Sequence, residues 1–322
     1  MSQPPPIDVL IIGGCPAGLT AASTLARRLH TAIVFDSGDY RNLEASYMHM
    51  VLTWDHKSPK QFRTSARRAI ENNYNTIRFE DVELKTVKQT ETGFEVADGN
   101  GKTWVGKKLI LATGSANDFP DIPGYKECWG TGIFHCLFCH GYEERNSPSA
   151  GVLALQSQAY YQMAIHMAKT ASYLSQKVTI YTNGVETLGE EISTALKTSF
   201  KASHRFAVDN RKISNLVKGD QGAEVILKFE DGSAKTESFI THNPNTHTKG
   251  PFAEQLGLKL TQTGDIDAST PFFTTSVRGV FAVGGSITPY KVVSGALSSG
   301  CNAAVAAAAQ LRAEDLEHQP FF

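Results

Sequence analysis

The chain opens with a short apolar run, IDVLII at residues 7–12, which stops at GGCPAG (13–18) and continues as TAASTLARRL. The run has the length and β-branched content of a buried strand, and the segment after the glycines has helical spacing. A second β-branched run, TAIVFDSG at 31–38, carries an acid at its end, Asp36. Strand, glycine turn, helix, strand and acid in this order constrain the chain to a βαβ unit of the dinucleotide-binding kind. Small residues let the turn's backbone approach a pyrophosphate at the helix N-terminus. The acid stands where a carboxylate holds a ribose hydroxyl. In the G-x-G-x-x-G frame the positions are Gly13, Cys15 and Gly18, so the middle glycine is replaced. A side chain there is expected to crowd the pyrophosphate and to shift or weaken binding. Cys15 itself reads as a small apolar filler rather than a reactive thiol.

KKLILATGS (107–115) is another strand ending in small residues, and RGVFAVGGS (278–286) repeats that design near the C-terminus. SGALSSGCNAAVAAAAQL then reads as a small-residue helix packed closely on a sheet. The two ends of the chain are therefore expected to share one domain. Between them lie a CxxC, a GVLAL strand, an Ala-rich helix, a KVTIYT strand and two strands around residues 213–229, which read as a second α/β unit inserted into the first. The expected fold class is α/β, with two Rossmann-like dinucleotide-binding domains: residues 1–117 with 246–322, and residues 118–245. The length of 322 residues suits about two domains. With 41% hydrophobic and 20% charged residues, the composition is that of a soluble globular protein. A net charge of -1 supplies no global field toward nucleic acid or an anionic membrane. No run approaches the roughly 18 apolar residues of a membrane helix, and the opening stretch lacks the basic region and cleavage site of a signal peptide. Five cysteines scattered over such a chain do not make a secreted disulfide framework. The expectation is a cytoplasmic protein with no nucleic-acid or membrane partner.

In GIFHCLFCHGYE (132–143), Cys136 and Cys139 stand two residues apart, with His135 and His140 on either side. Taken literally the string is a haem c attachment site; it is also half of a zinc site, a structural disulfide or a redox pair. Covalent haem attachment belongs to exported or organellar proteins, and no export signal is visible.

GGCPAGLTAA, ILATGS, IPGY, the CxxC, HNPNT and GVFAVG fall, over essentially the whole chain, in the order seen in low-molecular-weight thioredoxin reductases, class-II pyridine nucleotide-disulfide oxidoreductases. The chain resembles that family. The resemblance implies FAD in the split outer domain, a CxxC in the inserted domain that docks on the flavin, and a homodimer. HNPNT (242–246) resembles the family's second interdomain hinge, and the stretch after ATGS the first. The cofactor residues it implies are Gly13, Gly14, Cys15, Pro16, Ala17, Gly18, Asp36, Ser37, Arg41, Ala112, Thr113 and Gly114. Gly284, Gly285, Val292 and Val293 complete them on the flavin side, with His49 as a flavin contact. His56 reads as an exposed loop histidine, and Cys128 and Cys301 as buried small residues.

Three departures from the family carry more information. The inserted domain of the reductases has its own glycine turn for NADPH, followed by arginines. Here GVLAL runs into Gln156-Ser157-Gln158-Ala159-Tyr160-Tyr161, and VTIYTNG ends without arginine. Side chains at Gln156, Gln158 and Tyr161 take the space a pyrophosphate needs. Second, the reductases have an acid after the second cysteine, where this chain has His140. If electrons enter from a dithiol, a base must take protons from incoming thiols, and imidazole, with an ordinary pKa of about 6.5, suits that role. As imidazolium it also stabilises a neighbouring thiolate. Third, Gly285 replaces an aspartate that holds the ribityl chain, which with Cys15 points to weakened FAD binding.

CxxC-His-Gly with a lost NADPH turn is similar to the flavin-dependent dithiol oxidases of sulfur-containing natural products, the fungal gliotoxin oxidase type above all; SGDYRN and WDHKSP (37–42, 54–59) share that likeness. The group's substrate is a dithiol cyclic dipeptide and its product an internal disulfide, of the epidithiodiketopiperazine kind. The activity expected is thus FAD- and oxygen-dependent dithiol oxidation through Cys136, Cys139 and His140, releasing hydrogen peroxide. Zinc would need ligands beyond the CxxC, and no second CxxC or HxxxH pair exists, so no metal is expected. An inert structural disulfide across a two-residue gap closes too small a loop to gain much. Two other readings stand beside the oxidase: an NADPH-dependent thioredoxin or disulfide reductase, opposed by QSQAYY, and a non-catalytic redox sensor on a degenerate flavoprotein, supported by Cys15 and Gly285 alone.

Overall fold

The computed structural model describes residues 7–199 and 203–319; the outermost residues of the expected split domain, 1–6 and 320–322, lie outside the described residues. Along the chain, β1 (Ile7–Ile12) leads to α1 (Pro16–Ala26), β2 (Ala32–Phe35), α2 (Pro59–Asn73), β3 (Ile77–Glu80), β4 (Leu84–Thr90), β5 (Gly93–Asp98), β6 (Thr103–Leu111) and β7 (Ser115–Asp118). Next come α3 (Tyr125–Cys128), β8 (Ile133–Phe134), β9 (Ser147–Leu153), α4 (Tyr161–Ala171), β10 (Ser175–Tyr181), α5 (Glu186–Ser199) and β11 (Phe206–Asp209). Four strands follow, β12 (Ile213–Lys218), β13 (Val225–Phe229), β14 (Ala234–Glu237) and β15 (Ile240–Thr241). The chain finishes with β16 (Asn245–Thr248), α6 (Phe252–Gln255), β17 (Val280–Ala282) and α7 (Val293–Asp315). Two compact units result, which divide between Ala116 and Asn117 and between Asn245 and Thr246.

In the first unit β3, β2, β1, β6 and β17 form a parallel sheet, and β5 and β4 extend it antiparallel from β6. Both faces of β1 are buried because side chains alternate across a strand. Val9 and Ile11 pack with Leu25 of α1 and with Ala303, Ala307 and Leu311 of α7. Leu10 and Ile12 pack on the opposite face with Phe94, Leu109 and Phe252. The small residues of α7 have a definite reason. A Cβ on Gly300 would overlap the Ala17 carbonyl, so α7 approaches α1 more closely than any larger residue would permit. Ser58 caps α2 by accepting from the Lys60 amide at 3.2 Å, and Pro59 occupies the first helical position.

The second unit has a five-stranded parallel sheet ordered β11-β10-β9-β15-β8. Apolar residues of α4 and α5, including Ala164, Ala168, Ile192 and Leu196, cover one face. The antiparallel sheet β12-β13-β14 contributes Leu216, Val225 and Leu227 to the core on the other. The two strands expected around 213–229 are β12 and β13; the third strand of their sheet, β14, AKTE, is too polar to read as a strand alone, and its pairing with β13 forms it. No helix among the described residues is long and apolar enough to cross a membrane.

Candidate active site and cofactor cleft

A cleft of about 420 Å³ opens in the first unit at the C-terminal ends of β1, β2 and β6, lined among others by Gly13, Gly14, Cys15, Asp36, Tyr40 and Thr113. Its shape follows from the glycine turn. Gly13 has φ +121°, and a Cβ on it would overlap the Ala112 carbonyl; one on Gly14 would overlap the Asp36 carboxylate; one on Gly18 would overlap the Gly13 carbonyl. Each glycine is thus required by a neighbour on the far side of the turn. Pro16 opens α1, and Cys15, its extended N-cap residue, makes no side-chain cap bond. The amides of the first turn are left to an anionic ligand. The Cys15 thiol donates instead to the Ala112 carbonyl at 3.2 Å. Desolvation raises its pKa, which disfavours the thiolate. The expected crowding takes the form of a sulfur turned onto backbone.

Asp36 follows β2 directly, with its carboxylate held on both oxygens: the Gly38 amide donates to Oδ1 at 3.0 Å and the Tyr40 hydroxyl to Oδ2 at 2.6 Å. Ser37 and Ala112 also line the cleft. Lys249 pairs with Asp39 at 2.8 Å on its wall. Arg41 is half-buried, and desolvation lowers its pKa to about 10. A cradle of glycines, an open helix N-terminus and a positioned carboxylate fit the adenosine and pyrophosphate parts of FAD.

Arg41, His49, Gly114, Gly284, Gly285, Val292 and Val293 do not line this cleft. Gly284 has φ +75°, and its amide donates to Ser299 Oγ at 3.0 Å, which ties the turn to α7. Val292 is the extended N-cap residue of α7 and Val293 the first helical residue, with no side-chain cap. A Cβ on Gly285 would meet only ordinary contacts, the nearest being Ser115 Oγ at 3.6 Å, so a side chain would fit there. Sequence reasoning passed over Lys291, whose ammonium donates to the Gly285 carbonyl, the Thr288 carbonyl and Asp265 at 2.7, 2.7 and 2.8 Å. Tyr40 and Arg63 were missed in the same way, because neither belongs to a glycine motif. His49 and His56 lie 3.2 Å apart, ring nitrogen to ring nitrogen, so the exposed His56 is one half of a pair. Cys128 is buried as expected, but Cys301 is only half-buried.

In the second unit Cys136 and Cys139 form a disulfide with their Cα atoms 5.2 Å apart. The amides of Cys139 and His140 both donate to the Cys136 carbonyl at 3.1 Å, closing a helical turn just after β8. The Cys139 amide also lies 3.1 Å from Cys136 Sγ. An N–H aimed at a sulfur favours its thiolate, so the turn stabilises negative charge on Cys136. Of the two residues between the cysteines, Leu137 is buried and Phe138 is 72% exposed. His140 stacks on Phe134, centroids 5.4 Å apart at 20°, and His135 on Trp129 at 5.7 Å and 24°.

The turn after β9 is filled. Gln156 adopts φ +51°; its amide donates to the Asp118 carbonyl at 2.8 Å and accepts from the Asn245 amide at 3.2 Å. Ser157 donates to the Asn243 carbonyl at 2.8 Å. Gln158, 1% exposed, donates to the Leu153 carbonyl at 2.9 Å and accepts from the Asn243 amide at 3.1 Å. Beyond β10, Thr182 bonds Asn210 and Asn183 accepts from the Ile213 amide. Arg211 pairs with Asp209, and Arg205 donates to the Ser172, Ser175 and Gln176 carbonyls. These residues do not fit a nucleotide pyrophosphate, because bonded side chains stand where glycine would leave room.

Residues 7–310 match the sequence model of the family described as pyridine nucleotide-disulphide oxidoreductase. The thioredoxin reductase tcpT of Claviceps purpurea is 44% identical over 310 residues, covering 96% of this chain and 95% of the relative. The thioredoxin reductase aclD of Aspergillus oryzae is 43% identical, covering 95% of this chain and 97% of the relative. Among solved structures, the oxidoreductase from Agrobacterium tumefaciens is similar at a TM-score of 0.83 and 29% identity, covering 97% of this chain and 99% of that one.

Proposed function

The chain belongs to the pyridine nucleotide-disulphide oxidoreductase family, and within it we propose a flavin-dependent dithiol oxidase that uses FAD and molecular oxygen. Its substrate is a dithiol natural-product precursor of the epidithiodiketopiperazine type, which leaves as an intramolecular disulfide. The observation that carries this reading is the turn after β9: a redox disulfide stands in a unit whose nucleotide turn is closed by Gln156 and Gln158. Reducing equivalents then have to come from a thiol substrate. A cytoplasmic homodimer is part of the same proposal.

His140 takes the proton from the first substrate thiol. The resulting thiolate attacks Cys136 Sγ, the Cys136–Cys139 bond breaks, and Cys139 leaves as thiolate. The second substrate thiol gives its proton to solvent, and the thiolate so formed attacks the substrate sulfur of the mixed disulfide. The cyclic product departs, and Cys136 leaves as thiolate toward the amide of Cys139. The substrate has lost two electrons and two protons, and the cysteine pair holds the electrons. FAD, which the glycine turn at Gly13, Gly14 and Gly18 and the Asp36 carboxylate would hold, would supply an acceptor for that electron pair, so that the disulfide is restored and the electrons leave with two protons on oxygen as hydrogen peroxide.

The relatives are named thioredoxin reductases, which favours a second reading, a disulfide reductase, for which NADPH would be the reductant. Anaerobic titration with stoichiometric NADPH separates the two. The oxidase reading expects the flavin to stay oxidised and a reduced dithiol diketopiperazine to bleach it. In air, one peroxide should form per disulfide. Rapid bleaching by NADPH would restore the reductase. A folded protein that neither is yellow nor takes up FAD would point to the sensor.

A further inference from the structure

Between the glycine turn and α2 lies a chain of contacts that the cofactor motif does not contain. The guanidinium of Arg63, a buried residue of α2, lies 3.7 Å from the centre of the Tyr40 ring. It also donates to Asn42 Oδ1 at 3.0 Å, so it holds the 36–42 loop at two points. The Tyr40 hydroxyl in turn donates to Asp36 Oδ2 at 2.6 Å. The carboxylate so held rests against Gly14, where a Cβ would displace it. Burial, and then the neighbouring Asp36 carboxylate, push the Tyr40 pKa upward, which keeps the hydroxyl a donor at neutral pH. A carboxylate has about four lone-pair sites, and Gly38 and Tyr40 take two. Two remain on a carboxylate that, with Tyr40, lines the cleft.

We propose that Tyr40, braced by Arg63, is a positioning residue that fixes the Asp36 carboxylate for the adenosine ribose of FAD. The proposal rests on the cofactor assignment made above. An aspartate free to rotate about its side-chain torsions must be ordered when the ribose binds; one already held by a hydroxyl and an amide is not. A cation stacked on the Tyr40 ring immobilises that hydroxyl in turn.

The test is calorimetric titration of FAD into apoprotein stripped from the holoprotein, for wild type, Tyr40→Phe, Asp36→Ala and the double variant. Tyr40→Phe is expected to raise the FAD Kd roughly tenfold, the scale of one charge-assisted hydrogen bond. If Tyr40 acts through Asp36, it should weaken binding no further in the Asp36→Ala background. Arg63→Met is expected to weaken FAD in the same direction. A wild-type Kd in Tyr40→Phe, an equal loss in both backgrounds, or a Tyr40→Phe apoprotein without a cooperative melt would each overturn the proposal. Failure of the wild-type apoprotein to bind FAD is a different result and would overturn the cofactor assignment itself.

Discussion

At Cys136 one backbone amide does two jobs. The Cys139 N–H closes a turn on the Cys136 carbonyl and reaches its sulfur at 3.1 Å. Cys136→Ser and Cys139→Ser should each abolish peroxide formation from a dithiol while the protein stays yellow; full turnover in either would rule out the cysteine route. His140→Ala should lower the rate by about 10²-fold and flatten its dependence on pH, as expected for loss of a general base. A rate profile of unchanged shape would remove His140 from proton transfer. His242 makes a separate prediction, about stability. Its Nδ1 lies 2.6 Å from the Tyr125 hydroxyl, and burial lowers its pKa from 6.5 to about 4, with only a weaker opposing effect from the Leu155 carbonyl. The fold therefore holds His242 neutral, while the unfolded chain takes up a proton below about pH 6.5. Its contribution is intact above that pH and is lost as pH falls toward 4, at about 1.4 kcal/mol per unit at most. Denaturant melts between pH 7 and 4 should show this slope, and His242→Asn should reduce it; an unaltered slope would assign it to the carboxylates.

Among the elements, α7 and the β9–α4 turn show how much depends on side-chain volume. Gly300 lets α7 lie against the Ala17 carbonyl, which is backbone and cannot rotate away. Gly300→Val should cost about 1–3 kcal/mol or more and loosen FAD, because α1 carries the glycine turn of the cleft. Thermal melts of apoprotein and holoprotein measure both effects, and a wild-type melting temperature would contradict the packing. That side chains stand in the β9–α4 turn in place of glycines was legible from Gln156 and Gln158 alone. What holds the glutamines was not: their partners Asp118, Asn243 and Asn245 lie 38 or more residues away in sequence.

For the whole molecule, the cofactor assignment implies a stability linkage. A ligand that binds only the folded state adds about 2.7 kcal/mol at a hundred times its Kd. Added FAD should therefore raise the melting temperature of apoprotein in a concentration-dependent way, while added NADPH should leave it in place. Equal stabilisation by NADPH would contradict the filled turn. The parallel sheets of both units place their functional turns at the carboxyl ends of strands: the glycine turn after β1, Asp36 after β2, and the glutamine turn after β9.

Periodicity and punctuation determined the architecture in advance. Buried strands, glycine turns and the order of the repeated strand endings are local signals, so two α/β units and their nested connectivity could be read without coordinates. The CxxC-His string and the missing glycines were equally local. Tertiary structure alone decided which groups meet. The Cys15 thiol turns onto Ala112, 97 residues away. Lys291 pairs with Asp265, and Arg63 reaches Tyr40 and Asn42 from a different element. Polar β14 becomes a strand only through β13. These pairings depend on distances in space that residue spacing along the chain does not encode, and buried polar groups take whichever partner the packed fold brings within hydrogen-bond reach.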